Sequence, residues 1–332
     1  GDLVQSALAE GGKLLEQGLQ QMLHPDQVGL AALHAGGMFG EFAKTLALPD
    51  DPATSLRGTM CGSKRVAWAK PLPLAEVRTV GKALGCTIND VLMATVAGAL
   101  GSHLRERDAL YAGAAIRAAV PVNLRRADEP MSLGNRFGMM FAELPVGLLD
   151  PLERLYAVHA TMDRLKGSMQ PPMVLTMLGA LGLMPAGVQE TVVELFSRKG
   201  SAVVSNVPGP AEPLYLCGQR VSEMYFWVPQ AGSMGIGVSL FSYAGQVHVG
   251  MIADRSLVPV PAEVVGRFAH EFEQLLMAVT VGALAAGGRA AAGRRTPAKP
   301  PLSKRKLRQT AANESASPAK RLRQRSGTRD KR

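Results

Sequence analysis

The sequence has few cysteines, few aromatic residues and little charge. Its 332 residues include three cysteines, 5% aromatic residues and 19% charged residues. Cys61, Cys86 and Cys217 lie far apart, are odd in number and form no Cys-x-x-Cys pair, so they indicate neither a disulfide framework nor a zinc site. We therefore expect a reducing compartment. A hydrophobic content of 47% predicts a substantial core rather than global disorder.

Several signatures of catalysis are also missing. The sequence contains no His-Glu-x-x-His zinc motif and no Gly-x-Ser-x-Gly nucleophile motif. His159 shares a helical stripe with Leu155 and Met162, which predicts a core or boundary histidine. His248 precedes Asp254 by six residues, and a proton relay between the two is the alternative that we keep open.

Export and membrane-spanning patterns are not evident either. No basic region followed by an apolar run opens the sequence, so no secretory signal is predicted. The stretch from Ser168 to Gln189 lacks charge, but Pro171, Pro172 and Pro185 limit its apolar run to about a dozen residues, fewer than the roughly 20 that span a bilayer. We expect a buried or interfacial helix there, with methionines that suit acyl chains.

The positive charge that is present lies at the C-terminus. Residues 287–332 hold fifteen basic and two acidic residues, whereas the rest of the chain is slightly acidic. The tail has no aromatic residue on which nucleic-acid bases could stack. The composition predicts three regions: a helical inter-domain region at 1–56, a folded domain at 57–282 and a disordered basic tail at 283–332.

Hydrophobic periodicity predicts alternating strands and helices. Thr87 and Asp90 form a capping box that opens a helix buried on all sides, and Gly85 ends the helix before it. Asp150 begins a later helix as its N-cap. Further strands are predicted at 66–69, 120–122, 136–144, 202–205, 220–228, 234–241 and 246–252, and further helices at 3–23, 25–46, 74–84 and 264–279.

Polar and small residues stand out within these apolar elements. The capping box needs only Thr87 and Asp90, which leaves Asn89 unexplained. Gly235, Gly237 and Ser239 leave one face of a strand bare, and such a face allows another backbone or a ligand to approach closely.

Other polar groups are predicted at strand ends. They are Asn123, Arg125, Asn135 and Asn206. The Pro208-Gly209 pair after Asn206 is typical of a type II turn.

Five motifs in this order resemble one family. They are Thr-Ile-Asn-Asp-Val-Leu-Met-Ala at 87–94, Val-Pro-Val-Asn-Leu-Arg at 120–125, Leu-Gly-Asn-Arg-Phe-Gly at 133–138, Ser-Asn-Val-Pro-Gly-Pro at 205–210 and Gly-Gln-Val-His-Val-Gly-Met-Ile-Ala-Asp-Arg at 245–255. The sequence resembles the C-terminal part of the wax ester synthase/diacylglycerol acyltransferases. The resemblance implies an α/β (α+β) fold of the chloramphenicol-acetyltransferase type: a two-layer sandwich of mixed sheet and helices, and one half of a two-domain enzyme.

The resemblance also implies a reaction. Family members transfer a fatty acyl group from acyl-CoA to diacylglycerol or a long-chain alcohol, giving triacylglycerol or wax ester, with acyl-CoA as substrate and no cofactor. Asn89 and Asp90 match a family motif near the catalytic center, so Asn89 is expected to orient substrate or support the oxyanion and Asp90 to cap its helix. Asn206 and the face of Gly235, Gly237 and Ser239 are expected to line the acyl path.

One departure limits these expectations. The family's catalytic His-His-x-x-x-Asp-Gly motif is absent from the sequence, so no catalytic residue and no metal is assigned, and the chain is expected to be nearly inactive without an N-terminal domain. A fragment of an acyltransferase is expected, with a non-catalytic partner or regulatory half-enzyme as the alternative. The basic tail predicts a cytoplasmic protein at a membrane or lipid-droplet surface. In the alternative of a half-enzyme the tail binds anionic membrane or nucleic acid, of which nucleic acid is the less expected partner.

Overall fold

A mixed sheet of seven strands forms the frame of the domain. The computed structural model describes residues 45, 48–107, 112–125, 129, 136–168, 170–230 and 232–293. In them the strand order is β1-β9-β8-β5-β3-β4, with β2 also paired to β9, and β6 and β7 form a separate hairpin. The strands are β1 Lys64–Trp68, β2 Leu72–Pro73, β3 Ile116–Asn123, β4 Phe137–Leu144, β5 Ala202–Pro208, β6 Tyr215–Leu216, β7 Gln219–Arg220, β8 Ile236–Tyr243 and β9 Gln246–Asp254. The helices are α1 Leu74–Leu84, α2 Ile88–Arg107, α3 Pro151–Lys166, α4 Gln170–Leu181, α5 Ala186–Ser197 and α6 Pro261–Gly293.

The center of the sheet is parallel and its edges are antiparallel. Strand β5 pairs in parallel with β3 on one side and with β8 on the other, whereas the β3–β4, β8–β9 and β1–β9 pairs are antiparallel. This mixture of sheet and helices confirms the predicted α+β architecture. Because β3 and β5 run in the same direction, their carboxyl ends meet at one edge of the sheet.

Four helices cover one face of the sheet. The main core joins apolar side chains of the sheet to those of α1, α2, α3 and α6, such as Val77, Leu100, Leu155 and Phe268. A smaller apolar cluster on Ala119, Phe141, Val203, Val228 and Met234 lies against α5 and the segment that precedes β8. The core thus forms between the sheet and a helical layer, as predicted.

Helix α2 is the buried helix of this layer. The capping box is confirmed, since Thr87 N donates to Asp90 Oδ2 at 2.9 Å and Asp90 N donates to Thr87 Oγ1 at 3.1 Å. Further along, Arg154 of α3 donates to the Ala94 carbonyl at 3.1 Å and forms a buried ion pair with Glu271 of α6. These contacts hold α2 between its neighbours, and they fix the position of its first turn.

Most predicted elements are confirmed, including the N-cap at Asp150 and the left-handed Gly85 that ends α1. The predicted strand at 220–228 is wrong, because only Gln219–Arg220 is extended and paired. Apolar residues of this segment pack instead on the second face of the sheet, where Val228 joins the smaller cluster.

The type II turn at Pro208-Gly209 is also wrong. Strand β5 continues through Pro208, and Gly209 does not adopt the positive φ that the turn requires. A Cβ on Gly209 would lie 2.3 Å from Phe241 Cζ and 2.5 Å from the Ser242 carbonyl oxygen. Glycine is therefore needed here for close packing rather than for a turn.

Some predictions fall outside the described residues. They are the helix at 3–23, nearly all of the helix at 25–46, Asn135 and the tail beyond 293. The region boundaries at 56 and 282 remain predictions. Among the described helices, no single one has the length and apolarity to cross a bilayer, and α1 and α2 meet that test only as a pair bent by 100°.

Candidate functional site

Two of the predicted asparagines meet at the edge of the sheet. Asn206 Nδ2, on β5, donates a hydrogen bond of 3.0 Å to Asn89 Oδ1, in the first turn of α2. The two residues are 117 positions apart in the chain. Because the capping box is formed by Thr87 and Asp90, the side chain of Asn89 is left for this contact. Its oxygen accepts from Asn206, so its two amide N–H groups remain as donors.

A polar cleft adjoins this pair. It measures about 410 Å³ and lies at the carboxyl ends of β3 and β5, with Asn206, Asn123, Arg125 and Arg136 among its lining residues. Asn123 Oδ1 accepts from the Arg125 amide at 3.0 Å, and Arg136 pairs with Glu129 at 2.5 Å. Ligands of open α/β sheets commonly bind outside the carboxyl ends of the strands. The structure thus brings three of the predicted strand-end residues into one cleft.

Asp90 has a structural role and an unused oxygen. It is 1% exposed, and its Oδ2 accepts from Thr87 N and lies 2.8 Å from His159 Nδ1. Its Oδ1 has no hydrogen-bond partner among the described residues. His159 also contacts Asp163, with 3.3 Å between Nε2 and Oδ2. The prediction of a boundary histidine is confirmed, since 28% of the His159 side chain is exposed.

The bare face of β8 is covered by the chain itself. A Cβ on Gly237 would lie 3.0 Å from the Val228 carbonyl oxygen, and one on Gly235 would lie 2.3 Å from Leu257 Cδ1. Ser239 is 2% exposed and donates to the Gly250 carbonyl at 3.3 Å. The close approach predicted for this face occurs, with the Val228 backbone as the approaching group at Gly237 and the Leu257 side chain at Gly235. A role for these residues in lining an acyl path remains a prediction.

The proposed relay between His248 and Asp254 is wrong. Asp254 accepts hydrogen bonds from Ser256 Oγ at 2.6 Å and from the backbone amides of Cys61 and Gly62. Burial would raise the pKa of Asp254, but these hydrogen bonds from Ser256 and Cys61 hold it below its usual range. His248 is buried beside Tyr225 and Tyr243, and desolvation lowers its pKa. Asp254 is thus engaged by hydrogen bonds from Ser256, Cys61 and Gly62, whereas His248 contacts two tyrosine rings.

An apolar pocket that the sequence did not reveal lies between α4, α5 and β4. Its volume is about 140 Å³, and its lining includes Met139, Phe141, Val174, Leu181 and Phe196. A cavity of about 150 Å³ lined by apolar side chains binds a benzene-sized molecule. The uncharged stretch predicted to be a buried or interfacial helix forms α4, which is one wall of this pocket. The apolar composition was visible in the sequence, but the pocket depends on how α4 and α5 pack.

Comparisons with known proteins agree with this geometry. The family model for the WS/DGAT C-terminal domain matches residues 133–276. Residues 133–276 are therefore similar to a WS/DGAT C-terminal domain. The resemblance that the motifs indicated is confirmed, and the match includes Asn206 and the whole of β8 and β9.

Relatives and a solved structure extend this match. The protein named "Probable diacylglycerol O-acyltransferase tgs1" of Mycobacterium tuberculosis is 32% identical over 210 residues, which are 62% of this chain and 45% of the relative. The one named tgs2 in the same species is 30% identical over 241 residues, covering 71% and 53%. The wax ester synthase/diacylglycerol acyltransferase of Marinobacter aquaeolei has 27% identity and a TM-score of 0.53, with 73% of this chain and 56% of that chain covered.

Two conclusions follow from these WS/DGAT matches. The predicted fold class of the chloramphenicol-acetyltransferase type is confirmed by the Marinobacter structure. The chain spans about half the length of the curated relatives it matches. Their names describe acyltransferases, and this chain resembles the C-terminal part of such proteins.

Proposed function

We propose that this chain supplies the C-terminal half of an O-acyltransferase site. The reaction would transfer a fatty acyl group from acyl-CoA to diacylglycerol or a long-chain alcohol. The observation that supports this most is the hydrogen bond between Asn206 and Asn89, because it joins two family motifs beside an open cleft. The names of the relatives, as diacylglycerol O-acyltransferases, support the reaction class.

Asn89 has the chemistry for an orienting or oxyanion-stabilising role. Attack of an alcohol on a thioester places negative charge on the carbonyl oxygen, and preorganised N–H donors stabilise that charge. With its oxygen held by Asn206, the Asn89 amide presents N–H donors in a fixed orientation. Asp90 is used by the helix cap, so its contribution is to hold Asn89 in place.

The general base must come from elsewhere. The sequence contains no His-His-x-x-x-Asp-Gly motif, and the two buried histidines of the domain, His103 and His248, lie inside the core with lowered pKa values. A positioned base contributes about 10²–10⁴ to the rate of such a step. We therefore propose that an N-terminal domain carrying the motif completes the site, and that the chain alone has little activity.

The acyl chain and the membrane have candidate contacts. The apolar pocket between α4 and α5 suits the end of a hydrocarbon chain.

The turn between these helices exposes Leu183 at 80% and Met184 at 48%. Apolar side chains at such a tip suit contact with a lipid surface. We propose that the protein works at the cytoplasmic surface of a membrane or lipid droplet.

A fusion experiment tests the proposed reaction. The chain is joined to the N-terminal domain of a relative that carries His-His-x-x-x-Asp-Gly, and acyl-CoA:alcohol transfer is measured with and without the fusion. We expect transfer from the fusion only. Asn89→Ala should lower kcat by about 10²–10³, the usual effect of removing one oxyanion donor. Gln219→Ala, at an exposed amide on β7, is the matched control and should keep full activity.

The outcomes separate the proposal from its alternative. Full activity of the Asn89→Ala fusion, with unchanged thermal unfolding, would remove Asn89 from the mechanism. A well-folded fusion with no transfer to either acceptor would instead favour the non-catalytic half-enzyme. Asn206→Ala provides a second check, since it should lower kcat through loss of Asn89 orientation while leaving KM for acyl-CoA nearly unchanged.

A further inference from the structure

Three metal-ligating side chains converge beside the first turn of α2. They are Cys86 from the α1–α2 connection, Asp90 from α2 and His159 from α3. One candidate ligand atom from each lies within 4.8 Å of the other two. Sequence spacing does not indicate this cluster, because His159 is 69 residues from Asp90.

The cluster includes an unsatisfied buried oxygen. Asp90 is 1% exposed, and both hydrogen bonds of its carboxylate, accepted from Thr87 N and from His159 Nδ1, involve Oδ2. Its Oδ1 has no partner in the part of the chain that the structure describes. A buried carboxylate oxygen normally has a hydrogen bond or a cation as a partner. Helix capping explains Oδ2 but leaves Oδ1 unexplained.

The charges around the cluster favour a cation. Asp90 and Asp163 both contribute negative potential at Cys86, whose pKa is raised first by burial and then by these two carboxylates. Lys166 is the basic group that pairs with Asp163, at 2.6 Å. The negative charges of the two carboxylates are thus opposed by the positive charge of one lysine. His159 is 28% exposed and Cys86 is half-buried, so an ion can reach the cluster from solvent.

We propose that Cys86, Asp90 and His159 bind one divalent transition-metal ion, with zinc as the best match. Thiolate, imidazole and carboxylate are the ligand types that zinc takes, and three protein ligands leave a fourth position for water. Asp90 Oδ1 can ligate while Oδ2 keeps the cap. Asp163, beside His159 Nε2, would orient the imidazole as carboxylates do behind zinc-bound histidines. The ion would clamp the α1–α2 connection, α2 and α3 together, one residue from Asn89.

Binding also changes the protonation of Cys86. The Sγ–H bond breaks, the proton goes to solvent and a bond from Sγ to the metal forms, so no oxidant or reductant is needed. At His159 the hydrogen bond from Nδ1 to Asp90 Oδ2 is lost, the neutral ring carries its proton on Nε2 toward Asp163, and Nδ1 binds the metal. Metal affinity should therefore increase with pH. The bound state should unfold at a higher temperature, because the ion binds the folded chain and joins three of its segments.

Cobalt titration of the purified chain tests this site directly. A cysteine-ligated Co²⁺ ion gives a thiolate-to-cobalt charge-transfer absorption, and we expect one equivalent to produce it. Cys86→Ser should abolish the absorption, and His159→Asn should weaken binding by roughly tenfold or more. Cys61→Ser and Cys217→Ser are matched controls at exposed cysteines, and both should behave as the unchanged chain does.

Zinc provides a second readout on the same variants. Zn²⁺ should raise the Tm of the unchanged chain and of the two control variants but not that of Cys86→Ser. It should also protect Cys86 from N-ethylmaleimide while Cys61 and Cys217 still react, which tests the site without any variant. Cobalt absorption that persists in Cys86→Ser, or failure of the unchanged chain to bind Co²⁺ or Zn²⁺, would overturn the proposal. None of these measurements depends on acyl transfer.

Discussion

His103 is a histidine whose surroundings favour its neutral form. It is 1% exposed in α2, and its pKa is lowered first by burial and then by the nearby charges of Arg107 and Arg267. Glu263 and Glu106 act in the opposite direction, and the net shift is downward. When the chain unfolds, this histidine regains its ordinary pKa near 6.5. Between the two pKa values the unfolded chain therefore binds more protons than the folded chain does.

This difference predicts how stability depends on pH. The contribution of His103 to the free energy of unfolding is fully present above about pH 6.5 and is lost as the pH falls toward its lower, folded-state pKa. Urea unfolding measures the free energy of unfolding at about pH 7.5 and at about pH 5.5. Between these pH values, His103→Leu should lose less of this free energy than the unchanged chain does. His270→Gln, at an exposed position on α6, should lose as much stability as the unchanged chain. An equal loss in His103→Leu would contradict this account.

Single residues also show where sequence reasoning was sufficient. Thr87, Asp90 and Asp150 could be identified because a helix cap involves neighbours within three positions of the chain. The partner of Asn89 could not be identified in this way, since Asn206 reaches it only through the sheet. The sequence therefore predicted both members of the site but not their contact.

At the scale of elements, the chain packs closely at Gly209, directly after the end of β5. Alanine at this position would place a Cβ 2.5 Å from the Ser242 carbonyl oxygen, a backbone atom that cannot move without disturbing β8. We expect Gly209→Ala to lower the free energy of unfolding by about 1–3 kcal/mol, as overpacking usually does. Chemical denaturation measures this change.

A helical glycine provides the matched control for Gly209. Gly266 lies in α6, and a Cβ there would have no atom within 4 Å. Gly266→Ala should therefore raise stability, by about 0.5–1 kcal/mol, because alanine has less backbone entropy to lose than glycine. Equal effects of the two substitutions would show that packing at Gly209 is not tight.

The segment after β7 shows why one predicted element failed. Its apolar residues gave a strand pattern, yet in the fold they cover a neighbouring surface. Trp227 Cζ3 would lie 2.8 Å from a Cβ on Gly250, and the Val228 carbonyl would lie 3.0 Å from one on Gly237. The segment that was predicted to be a strand thus packs against the small residues of β8 and β9. Periodicity shows that a residue is buried, but it does not show which surface buries it.

At the scale of the whole molecule, much of the fold could be predicted from the sequence. The full set of pockets and side-chain clusters could not. The order of five motifs indicated the family, and the 133–276 match and the Marinobacter structure confirm it. The apolar pocket and the Cys86–His159 cluster escaped prediction, because both depend on which helices become neighbours. The His-His-x-x-x-Asp-Gly motif does not occur in the sequence, and the fusion experiment tests our proposal that a second domain supplies it.

Membrane attachment is a property of the whole chain, because it would combine two distant features. The fifteen basic residues of 287–332 provide attraction to anionic lipid, and exposed Leu183 and Met184 provide apolar contact. Sedimentation with vesicles of phosphatidylserine and phosphatidylcholine should show strong binding of the full chain. Deletion of 294–332 should lower it sharply. Raising salt from about 0.1 M to about 1 M should do the same, since the screening length falls from about 10 Å to about 3 Å.

The apolar contribution has its own test in the same assay. Leu183→Ser combined with Met184→Ser should weaken the binding that remains at high salt, because burial of apolar area is not screened by ions. Leu149→Ser is the matched control, since Leu149 is 68% exposed and lies before α3, outside the α4–α5 turn. Vesicle binding that is indifferent to both the tail deletion and the salt would exclude electrostatic recruitment. Equal losses for Leu149→Ser and the double variant would exclude the α4–α5 turn as the contact, because surface apolarity in general would then account for the binding.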